Sequence, residues 1–120
     1  ADITKAIELD PENPNNHYTC GIILDELSRY DESIQHYSTV IRLRPDSSEA
    51  CEKRGIAYNA VKKYEKAIQD FTKALALSPE QASAYYNRSL SHERLGNKEL
   101  AHRDYNTAIK LNPGFFKHCY

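Results

Sequence analysis

The sequence predicts an all-α protein, a right-handed solenoid of antiparallel helix pairs, on three observations. The phrase Leu-x-Pro occurs four times, at Leu9–Pro11, Leu43–Pro45, Leu77–Pro79 and Leu111–Pro113, each step being 34 residues. Apolar residues before each phrase recur at steps of three and four, the mark of one helix face. A small residue returns at one register of the period, as Gly21, Gly55 and Ser89. A fixed period of this length decides the architecture before any local reading.

Aligned on the prolines, the chain reads as one domain, 1–120, of three full repeats plus two partial ones. The full repeats are 14–47, 48–81 and 82–115; residues 1–13 read as the end of a preceding repeat and 116–120 as the start of a following one. The chain has no methionine and opens on ADITKAIEL, so a processed product or a piece of something longer is expected.

The second half of each repeat is an amphipathic helix. YEKAIQDFTKALAL places Tyr64, Ala67, Ile68, Phe71, Ala74 and Leu75 on one face. YDESIQHYSTVIRL repeats this with Tyr30, Ile34, Tyr37, Val40 and Ile41, and KELAHRDYNTAIKL with Leu100, Ala101, Tyr105, Ala108 and Ile109. Ile3, Ala6 and Ile7 carry the end of the same pattern.

The first half is a second helix, in which the small residue is followed three places later by Leu24, Tyr58 or His92. Glycine inside a helix costs about 1 kcal/mol relative to alanine, so its recurrence argues for a close helix–helix approach. Ser33, Ala67 and Ala101 are expected to face that approach, with Tyr37, Phe71 and Tyr105 filling the space around it. Short links, SR before Tyr30 and KK before Tyr64, make the two helices antiparallel neighbours; Gly96–Asn97 supplies a helix stop. Asn13–Pro14 reads as an N-cap with proline at the first helical position, and Ser47 as the same cap one period on. Leu-x-Pro ends the second helix, because proline lacks the N–H and pushes its predecessor out of helical geometry.

Charge and composition narrow the function. Sixteen Lys and Arg stand against seventeen Asp and Glu, a net charge of −1, so no nucleic-acid partner is expected. No run approaches the roughly 18 apolar residues of a membrane span, so no membrane partner is expected either. No signal peptide is visible. Cys20, Cys51 and Cys119 are odd in number and form no CxxC, which fits a reducing, cytoplasmic compartment. Cys20 and Cys51 read as small buried hydrophobes. His17, His36, His92, His102 and His118 form no HExxH, and adjacent His118 and Cys119 cannot face one metal from a regular helix. No metal and no cofactor are expected. His92 reads as a packed substitute for an aromatic residue. Catalysis lacks a nucleophile with its base and a phosphate loop; Asp25–Glu26 and Asp31–Glu32 point in different directions on a helix. The chain reads as no enzyme.

The residues resemble the tetratricopeptide repeat (TPR), a 34-residue helix–turn–helix with small residues at the close contact and a terminal proline. The middle repeat carries the resemblance in Gly55, Tyr58, Tyr64, Ala67, Phe71, Ala74 and Pro79. The third carries it in Tyr85, Ser89, Ala101, Tyr105, Ala108 and Pro113, and the first in Gly21, Leu24, Tyr30, Tyr37 and Pro45. Arg54 and Arg88 depart from the pattern, standing where the family often has an aliphatic residue. Their stems are expected to pack while their polar ends reach water.

The resemblance implies a non-catalytic interaction scaffold that binds a peptide or helix of another protein in a concave groove lined by the first helix of each repeat. Helical geometry assigns to that face Tyr18, Ile22, Asp25 and Glu26 from the first repeat, Glu49, Glu52, Lys53, Ile56 and Asn59 from the second, and Tyr86, Asn87, Leu90 and Glu93 from the third. Ser83 and Arg94 lie on the same face. Ile22, Ile56 and Leu90 stand one period apart and form an apolar floor with Tyr18 and Tyr86; acids outnumber bases around it, so a basic, apolar partner segment is expected.

Two alternatives remain open. One is a co-chaperone-type adaptor that clamps a C-terminal carboxylate. Its leading lysine and asparagine fall on Tyr18 and Ile22, or on Glu52 and Ile56 one repeat later. Neither pair fits, although Asn87 and Lys117 suit the second framing. The other is the regulatory part of a larger enzyme. Sugar-transferase members carry an asparagine ladder, and here Thr19, Lys53 and Asn87 match it once in three. RNA-binding helical repeats have a period one residue longer and need a basic track. Finally, the incomplete repeats leave Ile3 and Ile7 at one end and Phe115, Phe116 and Tyr120 at the other, so weak head-to-tail self-association is expected.

Overall fold

The computed structural model describes residues 7–113. Residues 7–9 are helical, and six longer helices follow: α1 (Pro14–Glu26), α2 (Tyr30–Leu43), α3 (Ser48–Ala60), α4 (Tyr64–Leu77), α5 (Ala82–Arg94) and α6 (Lys98–Leu111). No strand occurs among the described residues. Ile3, Phe115, Phe116, Lys117, His118, Cys119 and Tyr120 lie outside them, and with them most of the head-to-tail expectation.

The helices pack in pairs, α1 on α2, α3 on α4 and α5 on α6. Each pair leans on the next through α2·α3 and α4·α5, and α3 also touches α5. The body measures 47 × 26 × 24 Å, the elongated shape of units that contact only their neighbours.

Helix starts follow local chemistry. The Asn13 side chain accepts a hydrogen bond of 3.0 Å from the Asn15 N–H, with Pro14 at the first helical position. Ser47 Oγ accepts one of 3.2 Å from the Ala50 N–H. At the third equivalent position Gln81 makes no side-chain cap.

The turns inside the pairs share one geometry. Ser28, Lys62 and Gly96 have φ of 59°, 66° and 84° and stand 34 residues apart. The following residue closes each helix: the N–H groups of Arg29, Lys63 and Asn97 bond the carbonyls of Leu24, Tyr58 and His92 at 2.8–2.9 Å. These are Schellman closures, in which a left-handed residue satisfies otherwise orphaned carbonyls.

The core combines small residues with aromatic rings. Tyr37 and Phe71 are fully buried, as are Ser33, Ala50, Ala57, Ala67, Ala74, Ala84 and Ala108. The aromatic rings lie directly on the glycines. A Cβ on Gly21 would lie 2.5 Å from Cε1 of Tyr37, and one on Gly55 2.7 Å from Cε1 of Phe71. The glycines therefore seat the aromatic rings, beside the fully buried Ser33 and Ala67 of the second helices. Ring width sets the spacing, so the small residue is needed directly beneath it.

Arg54 and Arg88 correct an expectation. Their polar ends do not reach for water. Arg54 forks onto Asp70, Nε to Oδ2 at 2.8 Å and Nη2 to Oδ1 at 2.7 Å. Arg88 does the same to Asp104 at 2.7 and 2.8 Å. Both carboxylates are buried, and a charge at such a depth demands a partner.

Candidate functional site

The face assigned to binding belongs to α1, α3 and α5, the first helices of the three pairs. Ile56 and Leu90 are 37% and 38% exposed; Ile22, one period earlier, is half-buried. Tyr18 is half-buried and meets Tyr37 edge-on, with ring centroids 6.0 Å apart. Burial pushes the Tyr18 phenol up, and the charges of Glu49 and Glu52 add to it. Tyr18 of the first repeat therefore faces the acids of the second. Tyr86 and Tyr105 pack with centroids 6.2 Å apart.

The acids divide into two kinds. Glu26, Glu49 and Glu93 are exposed. Glu52 is buried and accepts hydrogen bonds from the Gln81 amide and the Ser83 hydroxyl, so it joins the second pair to the third. Asp25 is half-buried; its Oδ2 accepts from the Tyr37 hydroxyl at 2.7 Å. Its Oδ1 is buried with no hydrogen-bond partner among the described residues. Burial pushes the Tyr37 phenol far up, and the bond to Asp25 adds to this, so Tyr37 stays the donor.

Polar residues of the groove also link repeats. Asn59 Nδ2 donates to the Asn87 carbonyl at 3.3 Å, and Asn59 Oδ1 accepts from the Ser91 hydroxyl at 2.6 Å. Lys53 and the Asn87 side chain are half-buried. Of the predicted groove residues, Tyr86, Leu90 and Glu93 line one cleft, while Asp25, Glu52 and Asn59 are engaged in hydrogen bonds inside the stack.

Tyr86, Leu90 and Glu93 share that cleft, of about 550 Å³, with Lys98, Ala101, His102 and Tyr105 of α6. Sequence reasoning did not indicate it because it read Ala101 and Tyr105 as core; Ala101 is buried and Tyr105 half-buried.

Among the described residues no group of three or more His, Cys, Asp or Glu is arranged to hold a metal ion. Burial is the first cause raising the thiols of Cys20 and Cys51, the opposite of what a nucleophile requires. No helix is long and apolar enough to cross a membrane among the described residues.

Models of one family match most of the chain. A TPR repeat model matches residues 57–96, and two tetratricopeptide repeat models match 82–115 and 15–47. No curated protein matches the sequence. Among solved structures, the crystal structure of MamA aligns with a TM-score of 0.92 at 25% identity, over 96% of this chain and 67% of that one. The first TPR of Spaghetti (RPAP3), bound to the HSP90 peptide SRMEEVD, aligns at 0.83 and 27% identity over 88% and 83%. The Arabidopsis OM64 TPR domain aligns at 0.83 and 22% identity over 84% of each chain, a likeness of fold. Such neighbours are protein-interaction modules, typically without catalysis. With its helix pairs, Schellman turns and glycine-seated rings, the chain belongs to the tetratricopeptide repeat family.

Proposed function

We propose that the chain is a non-catalytic adaptor that holds a peptide or helix of a partner protein in the groove of α1, α3 and α5. The partner segment is apolar with basic flanks. What supports this reading is the 34-residue spacing of Ile22, Ile56 and Leu90 on the first helices of the three pairs, together with the exposure of Ile56, Leu90, Glu26, Glu49 and Glu93. An apolar stripe takes the anchors of an amphipathic helix, and the acids select basic residues at its edges. The free thiols of Cys20 and Cys51 fit a cytoplasmic setting.

The RPAP3 neighbour supports a second reading, capture of an acidic C-terminal peptide. Against it, Tyr18, Ile22, Glu52 and Ile56 offer no cation at the positions of a carboxylate clamp, and the exposed acids repel such a peptide. Service as the regulatory part of a larger enzyme is compatible with the same groove.

Fluorescence anisotropy decides between the first two. A labelled basic amphipathic helix should bind, while SRMEEVD should not. Glu49→Lys with Glu93→Lys should weaken the basic helix with helicity unchanged, and added salt should weaken it too. Ile56→Asp should abolish binding. A basic helix indifferent to all these changes, or tight binding of SRMEEVD, would overturn the reading.

A further inference from the structure

One junction of the stack is built from a different chemistry. The second and third helix pairs are each joined by a guanidinium–carboxylate fork, Arg54 on Asp70 and Arg88 on Asp104. At the same register in the first pair stand Cys20 and His36, with His17 three residues before Cys20. Here α1 and α2 meet through an imidazole–imidazole hydrogen bond, with Nδ1 of His17 3.1 Å from Nδ1 of His36. His17 is 8% exposed and His36 half-buried.

The partners fix the protons. Nε2 of His17 lies 2.8 Å from the carbonyl oxygen of Pro11. A carbonyl only accepts, so Nε2 carries the proton and Nδ1 of neutral His17 is a bare lone pair. The Nδ1–H of His36 donates to it. Two basic nitrogens then remain in the pair. One is Nε2 of His36, which can take a proton with the bond intact. The other is Nδ1 of His17, and a proton there sets N–H against N–H across 3.1 Å. The bond then has no acceptor, and two like charges face each other in the joint.

We propose that the His17–His36 bond is an acid-released latch: it closes the first helix pair near neutral pH and lets α1, with Tyr18 and Ile22, leave α2 when both imidazoles are protonated. The surroundings oppose the added charge. Burial first, and then the charge of His17, push the His36 imidazole below its ordinary value, while Glu32 pulls the other way. Glu32 is itself held on α2 by Arg29, at 2.6–3.0 Å. On α1, burial and then the charge of Glu32 push the Cys20 thiol up, so it stays neutral. In the linker Glu12 pairs with Arg42 at 3.8 Å, and on α3 Arg54 is occupied by Asp70. Once open, the two rings take up protons at about 6.5, the ordinary value. The closed pair does not, so closure weakens as the pH falls through that value. A guanidinium keeps its charge throughout, so the forks of the later pairs have no such step in mild acid.

The test is amide hydrogen exchange of the whole chain, each rate being corrected for the intrinsic effect of pH on exchange. Between about pH 7 and about pH 5, protection of α1 should fall relative to α4 and α6 by about thirtyfold for each proton the closed pair refuses, the ratio set by an open-state value of about 6.5. Imidazole ¹H–¹⁵N spectra should show His36 taking its proton on Nε2 first, with Nδ1 of His17 bare until that protection is lost. In His36→Gln the amide offers a donor to the neutral His17 ring and, turned over, an acceptor to the charged one; most of the fall should disappear. His92→Leu should leave it in place. A fall of equal size in all the helices, a fall that survives His36→Gln, protonation of Nδ1 of His17 with α1 still protected, or unchanged protection of the parent chain at the lower pH would each overturn the proposal.

Discussion

Gly55 lies directly beneath the ring of Phe71, with room for a hydrogen but none for a methyl group: a Cβ there would stand 2.7 Å from Cε1 and 2.9 Å from Cζ. Phe71 is fully buried, so the ring has nowhere to go. Gly55→Ala gains about 1 kcal/mol of helix propensity, yet overpacking costs about 1–3 kcal/mol, and the net change should be destabilising. A urea midpoint measures it. Adding Phe71→Leu should recover part of the loss, because the two sites couple.

Asp70 holds the Arg54 fork at 6% side-chain exposure. Asp70→Ala leaves a half-buried guanidinium without its counter-charge and should cost about 3 kcal/mol. Arg54→Met with Asp70→Leu removes both charges and should lie close to the parent chain in stability. Equal losses from the single and double replacements would show that packing, rather than charge, holds this joint.

Lys62 occupies a left-handed turn conformation, φ 66°, that costs a residue with a Cβ about 1–2 kcal/mol. Lys62→Gly should therefore stabilise by up to about 1 kcal/mol after the glycine's own entropy cost. Gly96→Ala, at the equivalent turn with φ 84°, should destabilise by a similar amount. Paired thermal melts would show the opposite signs.

His92 should make the fold acid-sensitive. Burial pushes its imidazole below the ordinary value, and Arg88 adds to this against the opposing pull of Asp104. Above an unfolded-state value of about 6.5 both states are neutral and the residue does not affect stability. As the pH falls through that value the unfolded chain takes up the proton first, so stability drops until the folded-state value is passed. His92→Leu, the residue of the first repeat at this register, should flatten part of the slope below about pH 6.5. Burial holds His36 down as well, and the rest of the slope should persist. An unchanged slope in the variant would refute the assignment.

Helix ends were legible because their causes are local. Leu-x-Pro stops a helix by itself, and Asn13 and Ser47 cap with their own side chains. The recurrence of Ile22, Ile56 and Leu90 is legible because they stand 34 residues apart. Arg54 and Asp70 were not, since they are 16 residues apart on different helices and meet only at one mutual rotation. Glu52 reads in sequence as a solvated groove acid. Its burial comes from Gln81 and Ser83, 29 and 31 residues on, which depends on how closely one helix pair stacks on the next. The glycine–ring contacts were half-legible: the period showed that something comes close, and only side-chain direction shows that it is an aromatic ring.

Each fork also reaches a third helix. Nη1 of Arg54 donates to the Ser38 hydroxyl on α2, and Nη1 of Arg88 to Thr72 on α4, both at 3.1 Å. A guanidinium thus stitches its own repeat together and fastens it to the one before. In a stack with nearest-neighbour coupling, stability resides partly in such junctions rather than in single units. Opening the middle repeat alone would break two stitches at once, so the cooperative unit of this chain is larger than its period.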